Sequence, residues 1–334
     1  MDNKFNLIIA IFVILLILVT PCIGVEMTPK ETEGSFLTRH FNPEVNGLWA
    51  GNAICYGPYR DGQHPGENSL SAEQLLEDLK IMTLHWNMMR IYGSTEFAEE
   101  LLKLINNNHL EMKVVVGAWI GSESEEHNKL EVEKAIYLAN NYPEFVPAVC
   151  VGNETQVYWS GNKYQIDKLI EYVRYVRANV TVPVTAPDDF GYWITPESKK
   201  LAQEIDFIMT HAHPLWNGIQ LDDSMNWIVE QMNTIESIHQ GKALVIGETG
   251  WATTSHDQGE QAELIKGKPG EKEQSEFYKA VYQWAEKTKH VVFYFEAFDE
   301  NWKGGTHPNE VEKHWGFYNA DRSAKVTFNK SQVN

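Results

Sequence analysis

Apolar and polar positions follow two alternating patterns along the chain from residue 46 onward. Short apolar runs bounded by turn residues favour buried strands, and segments whose apolar residues recur every three or four positions favour helices. The predicted strands are 47–56, 85–91, 112–119, 148–153, 182–187, 205–212, 243–249 and 290–298. The predicted helices are 71–82, 95–107, 131–141, 164–178, 196–203, 224–239 and 273–287. Eight strands that alternate with helices predict a single (β/α)8 TIM barrel over residues 46–325.

A doubly wound open sheet is the alternative fold, because it has the same alternation of strands and helices. Nucleotide-binding sheets of that kind carry a glycine-rich phosphate loop directly after the first strand. No such loop follows the first predicted strand here. The barrel therefore remains the preferred prediction.

The amino terminus has the pattern of a targeting segment. An apolar run at 7–19 follows Lys4 and precedes Pro21 and Cys22. This run is short for a membrane span, which needs about 20 residues, and it is typical of a secretory signal peptide at 1–24. An uncleaved membrane anchor and a lipid attached at Cys22 are the alternatives. We expect a secreted, periplasmic or cell-surface protein, with a polar tether at 25–45 and a tail at 326–334.

The charge balance excludes some partners. The 334 residues include 28 Lys and Arg against 46 Asp and Glu, which gives a net charge of −18. This acidity repels phosphate backbones and anionic lipids, so we expect no nucleic acid partner and membrane contact only through the amino-terminal segment. Three cysteines cannot form a disulfide framework, and the apolar runs around Cys55 and Cys150 predict buried thiols. We expect a monomer that needs no cofactor.

Two glutamates follow a glycine at predicted strand ends. Catalytic groups of a barrel enzyme lie at the carboxyl ends of its strands. Strand 4 ends in Gly152-Asn153-Glu154, and strand 7 ends in Gly247-Glu248. Either glutamate alone is more typical of a helix cap or a solvated loop. As a pair across a barrel mouth, they match glycoside cleavage, where one carboxyl protonates the departing oxygen and the other attacks carbon or activates water.

Further charged residues lie near the ends of strands 2 and 8. Alternation places Arg90 and Tyr92 on one strand face, where they could hold a carboxylate or form a structural ion pair beside a core tyrosine. On strand 8, Glu296 and Glu300 share a face if the strand is regular. Unpaired buried carboxylates are costly, so this pair predicts a function near Glu248, with Lys303 balancing the charge.

Two histidines, His211 and His213, share one face at the end of strand 6. This spacing could serve a metal ion, so a metal-dependent barrel hydrolase is one alternative. A metal would need more ligands at other strand ends, and His85 begins its strand at the opposite end of the barrel. We therefore expect no metal, and we interpret the histidines as sugar contacts or as a hydrogen-bonded core pair.

Tryptophans cluster at or just after predicted strand ends. They are Trp119, Trp159, Trp193, Trp216, Trp251 and Trp302. Each ring could stack on a glucose face or pack a loop onto the barrel, and we expect at least two stacking platforms in the set. The loops after strands 1, 6, 7 and 8 are predicted to be long, and they could wall off part of the substrate groove.

Several of these motifs resemble glycoside hydrolase family 17, the β-1,3-glucanases of plants, fungi and bacteria. The resemblance rests on CYGP at 55–58, RIY at 90–92, VGNE at 151–154, GETGW at 247–251, FEAFDENWK at 295–303 and HWGFY at 314–318. It extends over about residues 47–325. One departure is Asn301, which stands where many microbial members carry proline.

The resemblance implies a TIM barrel that cleaves β-1,3-linked glucan with retention of configuration. By motif, Glu154 would be the general acid/base and Glu248 the nucleophile, while Asn153 would bind the 2-hydroxyl of the reacting sugar. Glu300 and Lys303 match residues that support the catalytic acids in the family. The remaining candidates for substrate-binding or supporting residues are Tyr56, Trp251 and Trp302.

Three other functions compete with glucan hydrolysis. A β-1,3-glucanosyltransferase would use the same two glutamates and pass the sugar to another sugar instead of water. A catalytically silent glucan-binding protein has no need of both glutamates, and a metal-dependent hydrolase would be inhibited by a chelator. Endo and exo action are not separated by the motifs.

Overall fold

A computed structural model describes residues 37–67 and 70–325. The predicted signal or anchor at 1–24, residues 25–36 of the predicted tether and the predicted tail lie outside these residues. Within the described ranges, none of the helices combines the length and the apolar character that a membrane crossing requires.

Eight parallel strands form the barrel, which confirms the predicted (β/α)8 fold. They are β1 (Asn52–Cys55), β2 (Met88–Arg90), β3 (Lys113–Ala118), β4 (Val149–Val151), β5 (Val184–Thr185 and Asp188–Asp189), β6 (Ile208–His211), β7 (Leu244–Thr249) and β8 (Val292–Tyr294). Neighbouring strands pair in chain order, and β8 returns to pair with β1. The first segment of β5 pairs with β4 and the second with β6, so β5 closes the ring.

The break in β5 has a local cause. Pro187 lies between the two segments and cannot donate a backbone hydrogen bond to a neighbouring strand. Its carbonyl oxygen instead accepts from the backbone N–H of Glu154 at 3.0 Å. The strand that closes the barrel therefore also anchors one of the two predicted catalytic residues.

Nine α-helices are assigned in the described part of the chain. They are α1 (Ala72–Met82), α2 (Ala98–Asn107), α3 (Glu125–Asn141), α4 (Ile166–Asn179), α5 (Phe190–Trp193), α6 (Ser198–Ala202), α7 (Ser224–Ile238), α8 (Gly259–Leu264) and α9 (Glu271–Thr288). Two short 3₁₀ helices cover Leu221–Asp223 and Val311–Lys313. Ser71 and Gln74 form a capping box at the start of α1, as the sequence indicates.

The start of α2 differs from the prediction. Thr95 is not its first residue, because the helix begins at Ala98. The backbone and side chain of Thr95 instead donate to the carboxylate of Glu131, a buried residue of α3. A tertiary hydrogen bond has replaced the local helix start that the sequence indicates.

The first and last predicted strands are also shorter than expected. The region 47–56 divides into β1 and a hairpin in which Glu44–Val45 pairs with Leu48–Trp49. Asn46 and Gly47 at its turn have φ values of 51° and 76°, the region that such a tight hairpin turn requires. At the other end, β8 stops at Tyr294, so Glu296 and Glu300 do not share the face of a regular strand.

Apolar side chains fill the barrel interior, among them Ile54, Val116 and Phe293, which are fully buried. Cys55 and Cys150 are buried free thiols, as predicted. Burial raises the pKa of Cys150 to about 11 and that of Cys55 further, so neither thiol is ionised at neutral pH.

Candidate active site

Glu154 lies on a tight turn directly after β4. Gly152 has φ +75°, a conformation that glycine adopts without a steric penalty, and Glu154 itself has φ +49°. A Cβ atom at position 152 would lie 3.0 Å from Cγ2 of Thr155. The amide of Asn162 donates to the Asn153 carbonyl at 3.0 Å and fixes the same turn. The glycine before the asparagine–glutamate pair thus has a conformational role.

Glu248 is oriented by a bulge in β7. Ile246 pairs with Thr210 of β6, and the next paired residue is Glu248 with His211, so Gly247 is left unpaired. A Cβ atom at Gly247 would lie 2.4 Å from Cγ of Met209, too close for any larger residue without movement. The glycine before this glutamate is required by close packing, and the bulge brings Glu248 opposite His211.

The two glutamates face one another across the barrel mouth. One carboxylate oxygen of Glu154, one of Glu248 and a ring nitrogen of His211 all lie within 4.8 Å of one another. Retaining glycosidases keep their two carboxyl groups about 5–5.5 Å apart, whereas inverting enzymes need about 6.5–9.5 Å to admit a water. The separation here fits direct attack on carbon by one of the carboxylates.

Three predicted site residues converge on Glu248. Nη1 of Arg90 lies 3.0 Å from Oε1, and the hydroxyl of Tyr92 donates to the same oxygen at 2.9 Å. Nε2 of His213 lies 3.4 Å from Oε2. The Arg90 side chain is 1% exposed and that of Glu248 is 8% exposed, so the ion pair is shielded from solvent. Oε1 is therefore held by two donors, while Oε2 has one longer contact.

The environments of the two glutamates separate their pKa values. Burial, and then the negative charge of Glu248, raises the pKa of Glu154 to about 8. Burial opposes the ionisation of Glu248, but the positive charges of the protonated His211 ring at low pH, of His213 and of the Arg90 guanidinium outweigh it and hold its pKa well below the usual range. At neutral pH, Glu154 is a carboxylic acid and Glu248 is a carboxylate. These are the states that an acid and a nucleophile need.

A guanidinium group lies among the possible metal ligands. Nδ1 of His211 is 2.8 Å from Oε1 of Glu154, and its Nε2 is 2.9 Å from Nη1 of Arg90. The same Nη1 binds Oε1 of Glu248. A divalent ion held by these atoms would lie close to a fixed positive charge, which repels it. The cluster of Glu154, His211 and Glu248 is therefore better suited to proton chemistry than to metal binding.

A second acidic cluster follows β8. Nζ of Lys303 lies 2.7 Å from Oε2 of Glu296 and 2.6 Å from Oε2 of Glu300. Burial raises the pKa of Glu296 well above its usual range, although Lys303 opposes the shift. Trp302 donates from Nε1 to Oε1 of Glu300 at 3.1 Å. The structure thus brings together the three charged residues predicted near strand 8, with Lys303 between the two acids.

Glu312 is a site residue that the sequence analysis missed. It lies in the 3₁₀ helix Val311–Lys313 and accepts from Nε1 of Trp216 at 2.9 Å. Burial raises its pKa, and it interacts electrostatically with Lys303, His213 and Glu248. Inspection of strand ends could not find it, because Glu312 lies in a loop far along the chain from any strand end.

The sequence analysis also missed Asp188 and Asp189, although they directly follow a predicted strand. They form the second segment of β5, one residue beyond the predicted end of that strand. The carboxylate of Asp188 accepts from the backbone N–H groups of Gln156 and Val157, which fixes the loop that follows Glu154. Burial raises the pKa of Asp188 to about 8 and that of Asp189 to about 6. The strand break at Pro187 explains the error in the predicted boundary.

Two aromatic residues predicted as substrate contacts are core residues. Tyr56 is fully buried, and its hydroxyl donates to Asp78 at 3.0 Å. Trp251 is also fully buried, and its Nε1 donates to the Lys268 carbonyl at 3.0 Å. Since an enclosed ring cannot stack on a sugar, direct sugar contact is contradicted for both residues, whereas a supporting role stays a prediction. The sequence motif could not reveal this, since packing against loops uses the same residue types.

Exposed rings remain at two sides of the mouth. Tyr158 is 81% and Trp159 52% exposed in the loop after β4, and Trp302 is 41% exposed after β8. Trp302 also contacts Tyr59 of the β1 loop edge to face, with ring centroids 5.8 Å apart. Of the predicted set, Trp193 is fully buried like Trp251. The candidate stacking platforms are thus fewer than the tryptophans at strand ends.

The loops after β7 and β8 are joined by one carboxylate. Glu310 accepts from the amide of Gln261 and lies 3.3 Å from Nε2 of His256. The backbone N–H of Thr253 also donates to the His314 carbonyl at 2.8 Å. The loops after β7 and β8 therefore hold one another in place. The effect of the predicted long loops on the substrate groove stays a prediction.

A (β/α)8 barrel whose mouth holds one carboxylic acid and one carboxylate has the architecture and site of a barrel glycosidase. The chain belongs to the BtgE/BtgC glycoside hydrolase domain family, whose model matches residues 53–316.

Three known proteins illustrate the similarity. The chain is 26% identical over 272 residues to a glucan 1,3-beta-glucosidase of Schizosaccharomyces pombe. The aligned region covers 77% of this chain and 81% of that protein. It resembles the endo-laminarinase structure from Formosa Hel1_33_131 with a TM-score of 0.72 and 26% identity, over 83% of this chain and 86% of the other. A glycoside hydrolase family 17 β-1,3-glucanosyltransferase from Rhizomucor miehei has the same fold, with a TM-score of 0.68, 22% identity, and coverage of 83% and 96%.

Proposed function

We propose that this protein is a retaining β-1,3-glucan hydrolase of glycoside hydrolase family 17. The observation that carries the proposal is the pair of facing glutamates with opposite pKa shifts. The names of the similar glucosidase and laminarinase support β-1,3-glucan as the substrate class. The family assignment is supported by the motifs and by the fold shared with the transferase.

In the first step, a carboxylate oxygen of Glu248 attacks the anomeric carbon as the glycosidic bond breaks. We assign the attack to Oε2, because Arg90 and Tyr92 already hold Oε1. Glu154 gives its proton to the departing oxygen, so the leaving sugar departs as an alcohol. A covalent glycosyl–enzyme ester remains on Glu248, and Glu154 is now a carboxylate.

In the second step, Glu154 removes a proton from water as the water oxygen attacks the anomeric carbon. The ester bond to Glu248 breaks, and the sugar leaves with its original configuration. Asn153 is suited to bind the substrate 2-hydroxyl, because its Oδ1 accepts from Arg90 and its amide nitrogen has no partner within the described residues. Arg90 thereby aligns Asn153 and Glu248 from one position.

A direct test follows the products of linear laminarihexaose by mass and by proton NMR. The wild-type protein should shorten the substrate and release the β-anomer first. Glu248→Gln and Glu154→Gln should each abolish shortening, whereas Glu171→Gln, at an exposed position of α4, should not. Early release of the α-anomer, or shortening that survives in Glu248→Gln, would overturn the assignment.

The glucanosyltransferase alternative shares the first step and differs in the second, where a sugar hydroxyl replaces water. Products longer than laminarihexaose would identify it, and their absence would leave hydrolysis. The same time course separates endo from exo action, because mid-chain cleavage gives several product lengths at once. A protein that binds the hexaose without altering it would be the silent binder.

We also propose that the protein acts outside the cytoplasm as a monomer. The location rests on the apolar run at 7–19, and the monomeric state stays a prediction. Fractionation of cells that express the full chain tests the location, and the mass in solution tests the oligomeric state.

A further inference from the structure

We infer that His211 is a positioning residue that keeps the transferable proton of Glu154 on Oε2, the carboxyl oxygen that His211 does not contact. This inference rests on the proposed function, because it concerns the delivery of the proton to the departing sugar. It extends that function by assigning a task to a buried histidine that neither attacks the sugar nor exchanges a proton with it.

The first step of the argument concerns the tautomer of His211. Its Nε2 lies 2.9 Å from Nη1 of Arg90. A guanidinium group can only donate hydrogen bonds, so Nε2 must accept and cannot carry a hydrogen itself. The hydrogen of the neutral imidazole therefore lies on Nδ1. Nη1 of Arg90 also contacts the Gly247 carbonyl and Glu248, both at 3.0 Å, so its two hydrogens are shared among three acceptors that hold it in place.

The second step concerns the oxygen that His211 contacts. Nδ1 lies 2.8 Å from Oε1 of Glu154, so the Nδ1–H group donates to that oxygen. A carboxylic acid whose Oε1 accepts this bond carries its hydrogen on Oε2. The Glu154 side chain is 20% exposed, whereas His211 is fully buried beneath it. The acidic hydrogen is thereby directed away from the histidine.

The third step excludes His211 as the acid. Burial lowers the pKa of its imidazole to about 3, so it stays neutral throughout the working range. The titratable and charged groups that face it are Arg90 of β2, Glu154 after β4, Asp189 of β5, His213 after β6 and Glu248 of β7. After proton transfer, the same Nδ1–H stabilises the new Glu154 carboxylate without any rearrangement.

The test compares two substrates that differ in their need for an acid. Laminaritetraose has a sugar as leaving group, which must be protonated, whereas 2,4-dinitrophenyl β-laminaribioside has a leaving group that departs without protonation. Rates of the glycosylation step are measured for the wild type, His211→Leu and His211→Asn. Asparagine keeps an amide donor near the position of Nδ1, and leucine has none.

We expect His211→Leu to lower kcat/KM for laminaritetraose by about 10–100-fold, a part of the usual contribution of a general acid. Activity on the dinitrophenyl substrate should change by less than about threefold, and His211→Asn should recover most of the loss. The alkaline limb of the pH profile should move to higher pH in His211→Leu, because a donor to the Glu154 carboxylate has been removed. Equal losses on both substrates with an unmoved alkaline limb would overturn the inference.

Two controls separate the possible failures. His239→Asn alters another buried histidine, which bonds to the Trp193 carbonyl far along the chain, and it should leave the ratio of the two rates unchanged. Glu154→Ala should lose laminaritetraose activity and retain activity on the dinitrophenyl substrate. If Glu154→Ala shows no such selectivity, the proposed catalytic assignment fails. If Glu154→Ala shows it and His211→Leu does not, only the inference about His211 fails.

Discussion

The barrel mouth contains two acidic clusters, each with one cation. The two clusters differ in where the cation lies relative to the acids. In the first, Arg90 contacts Glu248 directly, and its nearest links to Glu154 are through His211 and Asn153. In the second, Lys303 lies between Glu296 and Glu300 at nearly equal distances. A cation that contacts one carboxylate favours ionisation of that carboxylate, whereas a cation between two acids favours ionisation of both.

This difference explains why only one cluster can perform acid–nucleophile chemistry. Glu154 and Glu248 have pKa values shifted in opposite directions, so a proton and a carboxylate are available together. Glu296 and Glu300 share Lys303, and the raised pKa of Glu296 reflects burial beside a second acid. The second cluster is better suited to binding a sugar or supporting the mouth. Four predictions test this contrast.

The largest effect is expected from Arg90→Met, which removes the cation that contacts Glu248 and not Glu154. Glu248 would lose its closest fixed positive charge, so its pKa should rise and the acidic limb of the kcat/KM profile should move to higher pH. We expect a loss of about 10²–10³-fold at the pH optimum, comparable to the removal of one electrostatic donor from an active site. A variant with unchanged activity and an unchanged acidic limb would show that Arg90 is structural only.

The matching change in the second cluster is Lys303→Met. It leaves two buried acids without their shared cation, and breaking a buried pair from one side destabilises a protein by about 3–5 kcal/mol. Urea unfolding should show a loss near the lower end of that range, because the Lys303 side chain is 16% exposed. The double variant Lys303→Met with Glu296→Gln should recover part of the stability. A double variant that is less stable than Lys303→Met alone would contradict the interpretation that Lys303 compensates the charge of the two acids.

The pH dependence of the wild type sharpens the assignment of charge states. The proposed mechanism needs Glu154 protonated and Glu248 ionised. Since the pKa of Glu154 is raised to about 8, kcat/KM on laminaritetraose should fall above that pH, by about tenfold per unit. A decline that begins near pH 5 would instead indicate that Glu154 is an ordinary exposed carboxylate.

The smallest effect concerns stability. The folded protein binds the Glu154 proton more tightly than the unfolded chain does, so this residue's contribution to stability is present below pH 4.5 and declines as the pH rises toward 8. Glu154→Gln removes that decline. As the pH rises from 5 to 8, the variant should gain up to about 3.5 kcal/mol of stability relative to the wild type, at about 1.36 kcal/mol per pKa unit. Unfolding measured at both pH values checks this, and a difference that is independent of pH would refute it.

The sequence motifs located the two proposed catalytic glutamates at the barrel mouth more successfully than they located aromatic rings exposed to a sugar. A strand end followed by glycine and glutamate constrains both position and direction, because the barrel places all strand ends at one face. A tryptophan after a strand has no such constraint, and the same motif that contains Glu248 contains Trp251, which is fully buried. Glu312 approaches the site through a 3₁₀ helix in a loop, where no periodic pattern predicts the direction of a side chain.

Local periodicity and the order of elements along the chain were enough to predict the alternation of strands and helices, the number of barrel strands and the two glutamates at their ends. Contacts between residues far apart in the chain could not be predicted in this way, because they form only in the folded barrel. Arg90 reaches Glu248 across 158 positions, and His211 reaches Glu154 across 57. Charge states depend on burial and on such neighbours, so the opposite pKa shifts of the two glutamates arise only in the closed barrel.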